Sequence, residues 1–212
     1  MSAQLYHPQL QVVFLVRVNA SGVPDGLLAK DLPRSLWDIE FYMANISTFP
    51  SAITNVWASD GLVAIEMNPE LSEFPQVLTT LPNLFTLFLG MTNITTIPDG
   101  TYDNQALVSL GMHSSPIERL PDSVGSIDRL GFLNFEGTKI TTIPSSWMDI
   151  EMPAWRQSRS VFLCAAGSPL CDSNETQHKT KPVWLEISCE KLSRDQYSYP
   201  IEHEDAWRAI SQ

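Results

Sequence analysis

One segment of this chain reads Leu84-Phe-Thr-Leu-Phe-Leu-Gly-Met-Thr-Asn-Ile-Thr-Thr-Ile-Pro98, which follows the pattern LxxLxLxxxxLxxLP, where L is any aliphatic residue, Met or Phe. The pattern recurs at Leu107–Pro121 and again at Leu130–Pro144, and the closing prolines lie 23 residues apart. A unit of this size cannot bury its apolar face alone, so a fixed period of this length predicts a solenoid of stacked repeats.

Earlier parts of the chain carry the same pattern with small departures. Leu36–Pro50 fits in every slot, and Leu10–Pro24 is a weaker match. Leu62–Pro75 fits if one residue fewer separates the strand from its proline. We therefore expect a solenoid of about six repeats over residues 1–150, followed by a last strand and a C-terminal cysteine cap or stem over residues 151–212.

The stretch Leu120-Pro-Asp-Ser-Val-Gly-Ser-Ile-Asp-Arg-Leu-Gly-Phe-Leu-Asn-Phe135 resembles the LPxxIGxLxxLxxLxL core of leucine-rich repeats. The resemblance to this family covers residues 10–171. It implies an α/β solenoid, a right-handed superhelix with a parallel β-sheet on its concave face and irregular or short helical turns on its convex face. It also implies a recognition surface, since such solenoids serve many different partners.

One slot of each repeat departs from the family pattern. Where a leucine-rich repeat usually has a buried Asn that hydrogen-bonds along the stack, this chain has Val18, Ala44, Thr92, Ser115 and Thr138. The block Leu62–Pro75 has no clear equivalent. A Thr or Ser hydroxyl can replace part of this bonding, whereas Val and Ala side chains cannot. We therefore expect a looser hydrogen-bond ladder in the N-terminal half.

The chain is acidic, with a net charge of −11 and an isoelectric point near 4.6. Nucleic acids and anionic membranes select for Lys and Arg, so neither is expected as the main partner. Simple solubility or a basic partner would each account for the charge.

No apolar run approaches the about 18–20 residues of a membrane span. The chain also starts within a repeat, so we expect a fragment whose N-terminal cap lies upstream.

The stretch Leu163-Cys-Ala-Ala-Gly-Ser-Pro-Leu-Cys171 resembles the LxLxxNPLxC ending that opens a cysteine cap in extracellular leucine-rich-repeat proteins. On this resemblance, Cys171 pairs with Cys189 and closes the cap. Cys164 then remains the odd thiol, and it points away from the core because side chains alternate along a strand. Three reduced cysteines in a cytosolic protein are the alternative.

Four Asn-x-Ser/Thr sequons are present, at Asn19, Asn45, Asn93 and Asn174. The first three occupy the same position of their repeats, which in Leu84–Pro98 is Asn93, directly before the aliphatic residue Ile94. They would therefore line one edge of the solenoid, where glycans could be tolerated together. The alternative is that Asn is simply favoured in this turn, and that the following Ser or Thr belongs to the repeat.

We find no catalytic constellation in the sequence. The histidines His7, His113, His178 and His203 lie in unrelated contexts, and there is no HExxH, GxSxG, CxxC or phosphate-binding glycine-rich loop. The acidic run 202–205 is better explained as the solvated start of a short helix than as a metal site, because a site needs several converging ligands. We predict a non-enzymatic protein with no cofactor and no metal.

Side chains between the aliphatic slots of such a solenoid point outward and form its recognition face. The residues expected on this concave face are Trp37, Asp38, Glu40, Tyr42, Met43, Glu66, Phe85, Phe88, Met91, His113, Phe132 and Glu136. Phe14, Arg17, Asn68, Ser109 and Asn134 fall in the same outward slots. Aromatic and Met residues are enriched at interface centres, and carboxylates can meet Lys or Arg of a partner. Alternatively, the rings pack on one another and stiffen the sheet.

Together these patterns favour protein or peptide recognition by the ectodomain, or part of it, of a secreted or cell-surface receptor-like protein. An intracellular scaffold is one alternative, and it would have free thiols and unused sequons. A regulatory domain of a larger enzyme, such as a kinase whose catalytic part lies outside these residues, is another. The oligomeric state is left open by the sequence.

Overall fold

The computed structural model describes residues 7–59, 61–125, 129–151, 160–172 and 181–192, together with Asp205 and Ala209. Within these residues, eight parallel strands form a single sheet, and their order in space is their order in sequence. They are β1 Val12–Val16, β2 Asp38–Tyr42, β3 Leu62–Glu66, β4 Thr86–Phe88, β5 Ser109–Gly111, β6 Phe132–Asn134, β7 Val161–Cys164 and β8 Leu185–Ser188. The predicted leucine-rich-repeat solenoid, with its parallel sheet, is confirmed.

Short helical turns connect the strands on the opposite side of the core. Several begin directly after a repeat's closing proline, as at Pro24, Pro75 and Pro144. Proline favours this position because its φ is fixed near the helical value and its missing N–H would have no helical partner there. The 3-10 turns are Asp25–Leu28, Gln76–Thr80, Thr101–Asp103 and Ser145–Asp149, and the α-helical turns are Ile53–Val56 and Pro169–Asp172.

The aliphatic slots stack into one core that runs the length of the solenoid. In register, Leu87 pairs with Leu110, Leu110 with Leu133, and Leu133 with Leu163, and all four side chains are fully buried. Each such side chain stabilises the fold by about 1.5–3 kcal/mol relative to exposure. A repeat therefore depends on its two neighbours for most of its stability.

The third repeat corrects the alignment expected from the sequence. Strand pairing places Val63 opposite Ile39 and Ile65 opposite Phe41, so Val63 and Ile65 fill the two aliphatic strand slots. The run Leu62–Glu66 is apolar at four successive positions, and the pattern alone fits it in more than one register. In the observed register, the spacing from the second aliphatic strand residue to the closing proline is one residue longer than in the other repeats, not one residue shorter.

The corrected register also reveals the asparagine that this repeat seemed to lack. Asn68 was expected on the concave face, but it is fully buried in the loop after β3. Its Oδ1 accepts hydrogen bonds from the backbone N–H groups of Ala44 at 2.9 Å and Ile46 at 3.2 Å. Its Nδ2 donates to the carbonyl groups of Phe41 and Glu66. Asn68 therefore supplies the ladder for the preceding repeat, where Ala44 cannot.

Hydroxyl groups continue this ladder in the later repeats, as expected. Ser115 Oγ accepts from the backbone N–H of Thr92 at 3.1 Å and donates to the carbonyl of Leu89 at 3.2 Å. The hydroxyl of Thr138 donates only within its own repeat, to the carbonyl of Phe135 at 2.7 Å. The ladder thus crosses between repeats at some positions and closes locally at others.

The chain beyond residue 150 adds two strands, β7 and β8, to the sheet, where we expected one. Cys171 and Cys189 form a disulfide, with Cα atoms 5.6 Å apart. Cys171 lies in the turn after β7, and Cys189 directly follows β8. The disulfide therefore ties the two strands at this end of the solenoid together.

Candidate functional site

Strand alternation divides the side chains of β2 between the core and the concave face, which is the face of the sheet turned away from the core. Ile39 and Phe41 are fully buried in the core. Asp38, Glu40 and Tyr42 therefore extend from the other face. The same alternation in the later strands places Glu66, Phe88, His113, Phe132, Asn134, Glu136, Phe162 and Cys164 on the concave face.

Residues at the ends of the strands line up in a row across this face. Val16, Tyr42 and Glu66 are paired in register at the ends of β1, β2 and β3. In β4 to β8, the residues at the equivalent position lie two residues after the paired set Phe88, Gly111, Asn134, Cys164 and Ser188. We call this set the strand-end row, and it consists of Val16, Tyr42, Glu66, Gly90, His113, Glu136, Ala166 and Glu190.

Aromatic rings stay exposed where the strands begin. Trp37 and Phe85 are each 40% exposed, and their rings stack with centroids 6.4 Å apart and planes at 16°. Gly61 lies beneath them, and a Cβ there would come within 2.4 Å of the Phe85 ring. Farther along the sheet, Phe132 stacks on Phe162 at 6.1 Å. Phe162 is a concave-face residue that the sequence analysis missed, because the repeat that contains it was assigned to the cap.

Carboxyl groups cluster on β2, and their environment favours the protonated form. Tyr42 Oη donates a hydrogen bond to Glu40 Oε2 at 2.5 Å. Burial raises the pKa of Glu40 to about 7, and the neighbouring Asp38 adds to the increase while the Tyr42 hydrogen bond opposes it. Burial also raises the pKa of Asp38, which hydrogen-bonds to Glu40. The pKa of Glu40 therefore lies near neutral pH, well above the ordinary value of 4.5.

A second buried polar pair lies in the strand-end row. His113 Nδ1 is 3.9 Å from Glu66 Oε1, and both side chains are almost fully buried. A Cβ at Gly90, which lies between them in the row, would come within 2.1 Å of the His113 ring. The ring can therefore cross the sheet towards Glu66 only because position 90 is glycine.

A pocket of about 310 Å³ opens beside the C-terminal part of the strand-end row. Its walls combine an imidazole, a carboxylate and a lysine, and they are formed by His113, Ser114, Glu136, Gly137, Ala166, Gly167, Cys189 and Lys191. The loop residues at its rim share one conformation, because Ser114, Gly137 and Gly167 all have positive φ. These residues occupy equivalent loop positions after β5, β6 and β7, so one side of the pocket is formed by a repeated loop geometry.

The predicted recognition residues divide into two groups. Trp37, Met43 and Phe85 are exposed, as is Phe14, and Phe88, Met91 and Phe132 are half-buried. The acidic and polar members, by contrast, are buried, namely Asp38, Glu40, Tyr42, Glu66, His113 and Glu136. The second group extends from the concave face, as predicted, but its side chains have little solvent exposure. Sequence alternation assigns a side chain to a face, and it carries no information about what covers that face.

Cys164 lies on the concave face but is buried. Its Sγ donates to the carbonyl of Glu190 at 3.4 Å, and burial raises the pKa of the thiol. The expected orientation away from the core is therefore observed, while the thiol is enclosed by the chain that follows β8.

Three of the sequon asparagines, Asn19, Asn45 and Asn93, are exposed at one edge of the solenoid. Asn45 Nδ2 donates to Asn19 Oδ1 at 3.0 Å, so the first two side chains are direct neighbours. Asn93 Nδ2 donates to the carbonyl of Pro69 at 2.7 Å. Asn174 lies outside the described residues, as do His178 and His203.

Metal-binding chemistry has no candidate in the described part of the chain, where no three His, Cys, Asp or Glu side chains converge. Of the acidic run 202–205, only Asp205 is described, and it forms an ion pair with Arg17 at 2.5 Å.

Among the described residues, no helix is long and apolar enough to cross a membrane.

No protein-family model matches this chain, and no curated protein matches it either. Among solved structures, a leucine-rich-repeat protein of Leptospira interrogans matches with a TM-score of 0.62 at 18% identity, over 84% of this chain. Toll, in the Toll–Spatzle complex of Drosophila, matches with a TM-score of 0.55 at 19% identity, over 69% of this chain. The matches cover 48% and 18% of those two proteins. At such identities they establish the leucine-rich-repeat fold.

Proposed function

We propose that this leucine-rich-repeat solenoid is a non-enzymatic module that recognises a protein or peptide on its concave face. We also propose that it is the ectodomain, or part of the ectodomain, of a secreted or cell-surface receptor-like protein. The first proposal rests on the concave face itself, and the second rests on the disulfide and the exposed sequons.

The exposed stack of Trp37 on Phe85 is the observation that carries the binding proposal. Two large rings, each 40% exposed where their strands begin, are unfavourable in contact with water, and covering them with a partner would be favourable. Their mutual stacking above Gly61 pre-orders them, so little side-chain entropy is lost on binding. Rigid aromatic anchors of this kind commonly contribute 2 kcal/mol or more, by the usual rough threshold for interface hot spots.

A peptide-display experiment tests the binding proposal without knowledge of the natural partner. Peptides from a random display library are selected on the immobilised full chain, and their affinities are measured by calorimetry. We expect Trp37→Ala and Phe85→Ala each to weaken selected peptides at least tenfold. Val183→Ser is the matched control, because Val183 is 92% exposed in the turn before β8. Equal affinities for all variants would place the site elsewhere.

The compartment is tested separately. The disulfide Cys171–Cys189 and the exposed edge with Asn19, Asn45 and Asn93 support a secretory route. Non-reducing peptide mapping of the protein from its native host should find the bridge and hexose on at least one of these asparagines. Three free thiols and unmodified asparagines would instead support the intracellular scaffold. Toll is an example of this fold bound to a second protein, Spatzle, and it gives a precedent for the proposal.

A further inference from the structure

A pocket of about 710 Å³ lies where the chain enters β2 and β3. The described residues that line it come from the segments that precede these two strands. They are Lys30, Leu32, Pro33, Arg34 and Leu36 before β2, and Asn55, Val56, Ala58 and Ser59 before β3. We call it the strand-start pocket. Two neighbouring repeats form it, at the edge of the solenoid where the strands begin.

Hydrogen bonds between repeats hold the backbone around this pocket. Trp57 is 1% exposed, and its Nε1 donates to the carbonyl of Leu27 at 2.8 Å. Asn83, in the following repeat, donates from its Nδ2 to the carbonyl of Ala58 in the pocket wall. The wall is thus fixed before a ligand binds, which lowers the entropy cost of binding.

Lys30 and Arg34 give the strand-start pocket a positive charge within an acidic chain. Asp and Glu outnumber Lys and Arg by 24 to 13 in the whole sequence, yet the charged side chains among the described lining residues are these two cations. Both are exposed, and neither forms an ion pair with a described residue. Asp31 lies between them in the sequence but does not line the pocket. A carboxylate of a ligand is the natural partner for such a pair of cations.

The strand-start pocket lies beside the exposed stack of Trp37 on Phe85. Leu36 in the pocket wall directly precedes Trp37, and Ser59 is two residues before Gly61, which lies beneath the stack. Two residues span at most about 7 Å. The backbone N–H of Gly61 also donates to the carbonyl of Trp37 at 2.8 Å, which joins the two segments. A short peptide can therefore contact the pocket and the rings with side chains only a few residues apart.

Carboxyl groups next to the stack contribute little exposed charge. Asp38 directly follows Trp37 and is 6% exposed, and Glu40 is 9% exposed. Burial raises the pKa of both, which favours their neutral forms. At physiological ionic strength, charges farther away are screened over about 8 Å. A ligand that covers the stack therefore meets the exposed cations of the strand-start pocket rather than exposed carboxylates of β2.

We propose that the strand-start pocket and the Trp37–Phe85 stack form one docking site for an acidic peptide segment of a partner protein. An Asp or Glu side chain of that segment enters the pocket and pairs with Lys30 and Arg34. An apolar or aromatic side chain a few residues away covers the two rings. This inference names the partner chemistry for the recognition function proposed above, and it rests on that function.

A double-mutant cycle between the protein and a peptide tests the pairing. Peptides that depend on Trp37 and Phe85 are taken from the display selection on the full chain, and we expect them to carry Asp or Glu. Affinities are measured for the full chain and for Lys30→Gln/Arg34→Gln, each with the acidic peptide and with its Asn or Gln counterpart. Each change alone should weaken binding by about threefold or more, and both together should weaken it no further. The net charge of the rest of the chain acts on both sides of the cycle and cancels.

Arg119→Gln/Lys139→Gln is the matched control, because it removes two exposed cations from the loops that follow β5 and β6. It should change the affinity for the acidic peptide by less than about 1.5-fold and show no coupling to the peptide's carboxylate. Circular dichroism verifies the fold of each variant, which the loss of exposed side chains should leave intact.

The outcomes separate this inference from the proposed function. Independent effects of the protein and peptide changes, or selected peptides rich in Lys and Arg, would overturn the acidic docking site and leave recognition through the stack standing. If no selected peptide depends on Trp37 and Phe85, the proposed function fails, and this inference fails with it. Displacement of the acidic peptide by heparin fragments at a lower concentration than by the free peptide would assign the pocket to a polyanion and also overturn the inference.

Discussion

At three positions of the sheet, a glycine lies beneath an aromatic or imidazole ring from a neighbouring repeat. Gly61 lies under Phe85, Gly90 under His113 and Gly111 under Phe88, and a Cβ at each would come within 2.4 Å of the ring or closer. The rings can pack against the backbone at these positions because glycine has no Cβ atom there. Sequence analysis did not assign these glycines a role, because the ring and the glycine belong to different repeats.

Gly90→Ala should therefore destabilise the protein by about 1–3 kcal/mol, because the His113 ring must move out of a tightly packed site. Urea denaturation followed by circular dichroism measures this change. The control is Gly26→Ala, since nothing lies within 4 Å of a Cβ at that position. Equal midpoints for the two variants would contradict the role assigned to Gly90.

The raised pKa of Glu40 makes stability depend on pH. Because its pKa is about 7 in the folded protein and 4.5 in the unfolded chain, the folded state binds more protons between these values. Stability should then fall as pH rises from 4.5 to 7, by roughly 1–2 kcal/mol. Urea midpoints at pH 5 and pH 8 measure the difference. Glu40→Gln should flatten this dependence, and an unchanged dependence would assign it to other groups.

Loops between the strands are held by side chains that reach from one repeat into the next. Asn68 is the clearest case, because it accepts from two N–H groups of the preceding repeat and donates to two carbonyl groups. The sequence placed it wrongly for a local reason. A continuous apolar strand offers no alternation to fix its register, and pairing with β2 and β4 decides it.

Asn68→Ala should cost about 3 kcal/mol, because it leaves the buried N–H groups of Ala44 and Ile46 without an acceptor. Thr138→Ala is the matched control. Its hydroxyl bonds only to Phe135 in its own repeat, so the expected loss is about 1 kcal/mol. Thermal or urea denaturation distinguishes the two, and a loss at Asn68 no larger than that at Thr138 would refute the cross-repeat role.

Each repeat of the solenoid is stabilised mainly by contacts with the two repeats beside it. The disulfide Cys171–Cys189 should thus act mainly on the last two strands. In Cys171→Ser/Cys189→Ser, we expect backbone amide exchange to quicken at least tenfold in β7 and β8. Exchange in β2 and β3 should stay within about twofold, since these strands are separated from the disulfide by several repeats. Uniform acceleration along the chain would show a single cooperative unit instead.

The sequence by itself determined the solenoid, because its repeat has a fixed period and one unit's pattern predicts the next. Its resemblance to leucine-rich repeats implied the parallel sheet and the cysteine cap. The tertiary structure alone decided the register of the third repeat, the role of Asn68, the glycines beneath the rings and the burial of the acidic residues. The pairing of Arg17 with Asp205 belongs to the same group. Each depends on residues that approach only after the repeats stack, and no periodic pattern records what covers the outward face of a sheet.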